Sequence, residues 1–148
     1  MSGSFLVAAT SADAHISIWS CSGGAGGGGT SAYGAAAWHE AQRIPVGTKI
    51  QHCVALTDLP GAPGWLALAA GGTDSVVRLY TRAPPAVDPR TASAGPDPPQ
   101  QEQQPQFQLA CQLTGHENWV RGLAFAAARA QQPGGAPALL LASASQDR

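Results

Sequence analysis

Four residues near the end of the sequence are of the types that carry out acid–base and nucleophilic chemistry. His116 lies in "LTGHENWVRGLAF", and Ser143, Ser145 and Asp147 lie in "LLLASASQDR". A histidine placed between a carboxylate and a serine hydroxyl forms either the triad of a hydrolase or a buried hydrogen-bond network. The chain has no Gly-x-Ser-x-Gly motif and no glycine-rich turn suited to an oxyanion hole, so the structural network is favoured.

Other kinds of site find little support. The remaining histidines have no carboxylate or cysteine at metal-ligand spacing, and "GGAGGGG" lacks the Lys-Ser/Thr of a phosphate loop. We therefore predict no catalytic residue, no metal and no cofactor. Charged residues make up 11% of the chain and the net charge is −1, so no basic surface indicates nucleic acid as a main partner. Three widely spaced cysteines and the absence of a signal peptide indicate an intracellular protein.

The elements that must position these residues follow a repeated pattern. "FLVAATSADAHISIWS" and "WLALAAGGTDSVVRLYT" each give an apolar strand, a turn containing Asp, and an alternating strand ending in an aromatic residue. Asp13 precedes Trp19 by six residues, as Asp74 precedes Tyr80, and "LLLASASQDR" begins the pattern a third time. Further strands are predicted at 38–46, 52–59, 106–113 and 119–126, so the order is four short strands in a full unit, and no helix is predicted. This is typical of a β-propeller.

Two low-complexity segments interrupt the repeats. Residues 21–37 are mostly Gly, Ala and Ser, and residues 83–106 are rich in Pro and Gln, so we expect inserts without stable order. Without them, the spacing between successive aspartates approaches the ~40–45 residues of a WD-repeat blade. We therefore predict an all-β chain with three WD40 blades, as an incomplete piece of a seven-bladed propeller. Its predicted units are 5–46, which lacks a first strand, 52–113, and 114–148, the start of a further blade.

The motif residues are expected to stabilise the blades. In the third unit the His ring can bond to the Asp carboxylate and to one of the two serines, and a Trp indole from a following strand would complete the network. The second unit has no Gly-His and carries Tyr instead of Trp, so its network is expected to be incomplete. The predicted network residues are His116, Ser143, Ser145, Asp147, Asp13, Trp19, Asp74 and Tyr80.

"GHENWVRGLAFA" followed by "LLLASASQD" resembles one blade of the WD-repeat subunits of the Elongator complex. The two preceding units are similar to the preceding blades of that family in the same order, including the Cys-containing strand and Leu-Pro turn of "HCVALTDLPGAPGW". The chain departs from the family in its two inserts and in Phe125, where Trp is usual.

The resemblance implies a non-catalytic scaffold made of two tandem propellers, located in the cytoplasm and also in the nucleus. Its implied partners are the large scaffold subunit and the radical-SAM/acetyltransferase subunit of Elongator, which modifies wobble uridines in tRNA and has been linked to transcription elongation. It implies no small-molecule substrate, no membrane, and at most indirect nucleic-acid contact. The alternative is a WD-repeat adaptor of another assembly, such as a ubiquitin-ligase substrate receptor.

Overall fold

The computed structural model describes residues 4–22, 38–85, 105–128 and 137–147. Every regular element in these ranges is a β-strand, which confirms the all-β prediction. None of the described segments forms a helix long and apolar enough to cross a membrane. The strands are β1 (Ser4–Thr10), β2 (His15–Ser22), β3 (Trp38–Pro45), β4 (Gln51–Asp58), β5 (Leu66–Gly72), β6 (Val77–Arg82), β7 (Gln108–Leu113), β8 (Val120–Ala128) and β9 (Ala138–Ser145).

The strands form three antiparallel sheets in chain order. Sheet A contains β1-β2-β3, sheet B contains β4-β5-β6-β7, and sheet C contains β8-β9. Within each sheet, every strand pairs with the next one along the chain in an antiparallel ladder. Sheet B is a complete four-stranded meander, the sheet expected of one propeller blade.

The main core lies between sheets A and B. Side chains alternate between the two faces of a strand, so Ile16 and Ile18 of β2 point to the same face and are 0% and 1% exposed. They pack with Leu68 of β5 and Tyr80 of β6. The amide of Gln42 in β3 also donates to the carbonyl of Phe107 at 2.9 Å and accepts from its N–H at 2.7 Å. This pair of bonds ties sheet A to the segment that leads into β7.

Sheets B and C meet where a glycine removes side-chain volume. Val120 of β8 is fully buried, and a Cβ added to Gly71 of β5 would lie 2.7 Å from its Cγ1 atom. The Cys53 thiol donates to the carbonyl of Gly71 at 3.4 Å, and burial raises the pKa of that thiol. The close approach therefore depends on the absence of a side chain at residue 71.

The predicted inserts lie largely outside the described residues. Cys21 and Ser22, assigned by composition to the first insert, instead belong to β2, where Cys21 is buried opposite Phe5. Cysteine behaves as a small apolar residue in such a position. Residues 23–37 and 86–104 are not described, so the expected lack of order in both inserts stays a prediction.

Candidate functional site

His116 lies at the centre of a hydrogen-bonded cluster in sheet C. Its Nδ1 atom is 2.9 Å from Oδ2 of Asp147, and its Nε2 atom is 2.9 Å from Oγ of Ser143. The histidine belongs to the loop between β7 and β8, Ser143 lies in β9, and Asp147 follows that strand. Gly115, before the histidine, has a φ of +149°, a backbone conformation that favours glycine. The cluster joins the loop before the sheet to the turn after its second strand.

The sequence left open which serine contacts the histidine, and the structure places Ser143 there. Ser145 lies two residues further along β9, and its hydroxyl donates to the carbonyl of Asn118 at 2.9 Å. That hydroxyl also accepts from the N–H of Asp147 at 3.3 Å. Ser145 therefore fixes the backbone around the same turn without touching the imidazole.

The carboxylate of Asp147 receives several hydrogen bonds at once. The N–H of Glu117 donates to its Oδ2 atom at 2.8 Å, and this bond contributes most to lowering the pKa of Asp147. His116 and Ser145 lower the pKa further, while burial opposes them. The side chains of His116 and Asp147 are about a quarter exposed, at 26% and 24%. Such an arrangement holds the aspartate in its ionised form.

Sheet B has an aspartate at the corresponding place, without the same partners. In sheet B the N–H of Thr73, the residue before Asp74, donates to the carbonyl of Ile50 at 3.0 Å. In sheet C the N–H of Gln146, the residue before Asp147, donates to the carbonyl of Trp119 at 3.0 Å. Ile50 and Trp119 each precede the first strand of their sheet. Asp74 is therefore the counterpart of Asp147. Along the shared strand register, Ala70 and Gly72 correspond to Ser143 and Ser145. Counting back from the start of the first strand places Gly47 where sheet C has His116. The three side chains that surround Asp147 are therefore missing in sheet B.

Asp74 instead forms an ion pair within its own hairpin. Its Oδ2 atom lies 2.6 Å from Nη2 of Arg78, and both side chains are 15% exposed. The Nη1 atom of Arg78 is buried and has no hydrogen-bond partner within the described residues. This contact spans four residues and restrains only the turn between β5 and β6.

Asp13, in the turn between β1 and β2, has a third kind of partner. The guanidinium of Arg43 in β3 donates to its Oδ2 atom, and the N–H of His15 donates to Oδ1 at 3.3 Å. The hydrogen bond from Arg43 is the main reason that the pKa of Asp13 is lowered. This aspartate is therefore linked to the third strand of its sheet.

The side chains of Trp19 and Tyr80 lie apart from the hydrogen bonds formed by Asp13 and Asp74 in the described residues. Trp19 is 39% exposed, and Tyr80 is buried in the core between sheets A and B. Within the described residues, neither side chain forms a hydrogen bond to the aspartate of its own unit. The positions equivalent to Ser143 in sheets A and B are Ala9 and Ala70, so the aromatic rings lack the hydroxyl that would link them. Of the eight predicted residues, the structure brings together His116, Ser143, Ser145 and Asp147.

Two arginine partners were missed by the sequence reasoning. The pairing of Asp74 with Arg78 can be recognised in the sequence, because the two residues are four apart on either side of a predicted turn. The pairing of Asp13 with Arg43 spans 30 residues across an insert, and no spacing rule identifies it.

The cluster has two chemical interpretations. A cavity of about 260 Å³ opens beside His116 and Ser143, with apolar walls that include Val77 and Leu141. The Asp–His–Ser order is also that of a hydrolase triad. Ser143, however, lies inside β9 opposite Leu123, whereas the nucleophilic serine of an α/β-hydrolase lies at a sharp strand-to-helix turn. Within the described parts of the chain, no group of three potential metal ligands occurs.

Comparisons with known proteins identify a distant relationship. No family model matches the chain. It is similar to Elongator complex protein 2 of Danio rerio, 32% identical over 146 residues, which cover 99% of this chain and 13% of that protein. Elongator complex protein 2 of Arabidopsis thaliana is 30% identical over 105 residues, which cover 71% of this chain and 10% of that protein. The chain thus spans about a tenth of the length of these relatives, and its fold is that of WD40 propeller blades.

Proposed function

We propose that this chain is part of a non-catalytic WD-repeat scaffold subunit of an Elongator complex. The observation that carries the proposal is the similarity to Elongator complex protein 2 of Danio rerio along 99% of the chain. In this role the protein holds the large scaffold subunit and the radical-SAM/acetyltransferase subunit together for the modification of tRNA wobble uridines, in the cytoplasm and the nucleus.

The cluster around His116 supports a structural role. Its carboxylate accepts from the N–H of Glu117 as well as from the imidazole, so it fixes loop and turn together. A group that is held by backbone and side-chain donors at once stabilises one conformation of the sheet. We infer that the cluster rigidifies the loops at one end of the blades, where partner proteins bind.

The proposal is tested by the partners of the full-length protein. We expect affinity purification from its own cells, followed by mass spectrometry, to recover the two other Elongator subunits in amounts similar to the bait. Recovery of a cullin-type ubiquitin ligase without those subunits would contradict the proposal and favour the adaptor alternative.

The hydrolase alternative has its own test, because the order of Asp147, His116 and Ser143 is that of a triad. A fluorophosphonate probe reacts with an activated serine hydroxyl. We expect no labelling of Ser143 in the full-length protein, whereas labelling that disappears in His116→Ala while the fold survives would support hydrolysis.

A further inference from the structure

Sheet B ends in an outer strand whose backbone has no further strand beside it. β7 is the last strand in the order β4-β5-β6-β7, and all 6 of its residues are exposed. In an antiparallel ladder, alternate N–H and C=O groups of an edge strand point away from the sheet and have no strand partner. Within the described residues, no strand pairs with this side of β7. The edge therefore presents a row of backbone donors and acceptors.

β7 lacks the residues that usually protect such an edge. Its sequence, QLACQL, contains neither a charged residue nor a proline. β3, the outer strand of sheet A, contains Glu40, Arg43 and Pro45, and charged side chains and proline oppose the addition of another strand. Both strands carry a bulge, at Ala41 and at Ala110, so the bulge does not distinguish them. The outer edge of sheet A is thus protected, and that of sheet B is open.

The number of strands in each sheet separates β7 from the other uncharged edges. β1 and β9 also carry no charge, but they end sheets of three and two strands. A propeller blade has four strands, so a further strand of the blade itself would cover those edges. β7 ends a sheet that already contains four strands. A strand added to β7 is therefore a fifth strand and does not belong to the blade.

The side chains of β7 indicate the chemistry of that fifth strand. Leu109 lies opposite Tyr80 and is 49% exposed. Leu113 lies opposite Val77 and is 47% exposed. Tyr80 and Val77 point to opposite faces of β6, so the two leucines also lie on opposite faces of the sheet. An added strand thus has an apolar neighbour on each face, which suits β-branched side chains.

We propose that β7 accepts an extended, uncharged segment of a partner protein, rich in β-branched residues, as a fifth strand of sheet B. The segment exchanges backbone hydrogen bonds with β7, and its side chains pack beside Leu109 and Leu113. The inference goes beyond the proposed function, because the chemistry of the edge is the same whichever complex the protein belongs to.

A second copy of the chain fits this edge less well. The contact is a strip about 20 Å long and about 5 Å wide. Two rigid propellers joined there would bury far less than the roughly 1,200–2,000 Å² of a stable interface. A segment of a partner that is already bound elsewhere needs less area, because tethering raises its effective concentration.

Binding of a strand-forming peptide to the full-length protein tests the edge directly. The probe is a fluorescein-labelled peptide of six alternating Val and Thr residues with Lys at both ends, measured by fluorescence anisotropy. The control peptide has the same side chains and N-methyl groups on its two central residues, which block one backbone donor on each edge. We expect the control peptide to bind at least about tenfold more weakly, because strand addition depends on backbone hydrogen bonds.

Hydrogen–deuterium exchange locates the contact within the protein. We expect the peptide to slow exchange of the backbone amides of β7 and to leave those of β3 unchanged. β3 is the matched control, since it is the outer strand of the neighbouring sheet and carries the protecting residues.

Matched variants separate the edge from general effects. Gln108→Lys places a charge on β7 and is expected to weaken binding of the peptide by about fivefold or more. Gln108→Thr changes the same residue without adding a charge, and Ala12→Lys adds the same charge in the exposed turn after β1. Both are expected to retain affinity within about twofold, as neutral or distant substitutions do. Thermal unfolding verifies that each variant folds.

The outcomes distinguish this inference from the proposed function. Equal binding of the two peptides, or equal protection of β3 and β7, would overturn the fifth strand even if Elongator subunits still co-purify. A dimer of the full-length protein that dissociates in Gln108→Lys, seen by analytical ultracentrifugation, would overturn the partner segment and assign the edge to a second copy. Conversely, binding that is lost selectively in Gln108→Lys supports strand addition even if the purified partners belong to another complex.

Discussion

The turns that contain Asp147 and Asp74 occupy the same place in adjacent sheets and hold their carboxylates differently. Asp147 is bound by His116, which lies 31 residues earlier in the loop before the sheet. Asp74 is bound by Arg78, four residues later in the same hairpin. A long-range hydrogen bond closes a large loop, whereas a local ion pair restrains one turn. The first contact can therefore organise the sheet, and the second only shapes its edge.

The difference arises from three small residues. Sheet B carries Gly47, Ala70 and Gly72 where sheet C carries the histidine and two serines. These residues provide no hydrogen-bonding side chain, and the absence of a Cβ at Gly72 lets the backbone of the turn pack closely on Ile50, before the first strand. Sheet B thus replaces polar contacts with backbone packing at this end of the blade.

The largest effect is expected from adding a side chain where sheet B has none. A Cβ on Gly72 would lie 2.0 Å from the carbonyl oxygen of Ile50, so Gly72→Ala forces the backbone to move. We expect a loss of about 3 kcal/mol or more in the free energy of unfolding, measured by urea denaturation of the full-length protein. Gly122→Ala is the control, because its nearest neighbour, the Cβ of Ala144, would be 3.7 Å away. Equal stability of Gly72→Ala and the wild type would show that the turns are not packed differently.

A smaller loss is expected from removing the long-range contact of sheet C. His116→Ala deletes the bonds to Asp147 and Ser143, which costs about 1–2 kcal/mol in the free energy of unfolding since both partners remain partly hydrated. His39→Ala deletes an exposed contact to Ser20 and is expected to cost less than about 0.5 kcal/mol. If the two histidine variants unfold at the same urea concentration, the cluster around His116 does not stabilise the sheet.

Much of the sheet arrangement could be predicted from the sequence, because alternation of apolar residues reports directly on strand faces. The Gly-His pair before one predicted strand and the aspartate after the next strand likewise indicated that His116 and Asp147 would be neighbours. The choice of Ser143 over Ser145 could not be predicted, since residues two apart share a strand face and only the register decides between them. The pairing register shifts at His52 in β4 and at Arg121 in β8, and Gln42 forms two hydrogen bonds to the backbone of Phe107. These features depend on how neighbouring strands and sheets meet, so no local sequence pattern predicts them.

The carboxylate of Asp147 gives sheet C a dependence on pH. Its pKa is lowered in the folded state, first by the N–H of Glu117, so the contribution to stability is present above its ordinary value of about 4. That contribution is lost as pH falls through the lowered folded-state pKa. We therefore expect the difference in unfolding free energy between wild type and Asp147→Asn to narrow on acidification. The control is Asp58→Asn, at an exposed position without an ion pair in the described part of the chain, and its unfolding free energy should differ little from that of the wild type. A constant difference for Asp147→Asn would contradict this account.

The smallest effect concerns the residue after the aspartate in sheets A and B. Ala14 and Ser75 have φ angles of 60° and 61°, in the left-handed region that favours glycine. Ser75→Gly relieves that strain, but glycine also gains entropy in the unfolded chain, so we expect a stabilisation of no more than about 1 kcal/mol. Ala14 is 8% exposed, so Ala14→Gly also loses a buried methyl group and should be neutral or destabilising. Urea midpoints of the two variants measure the difference, and a greater gain for Ala14→Gly would show that backbone strain, not burial, sets the sequence of both turns.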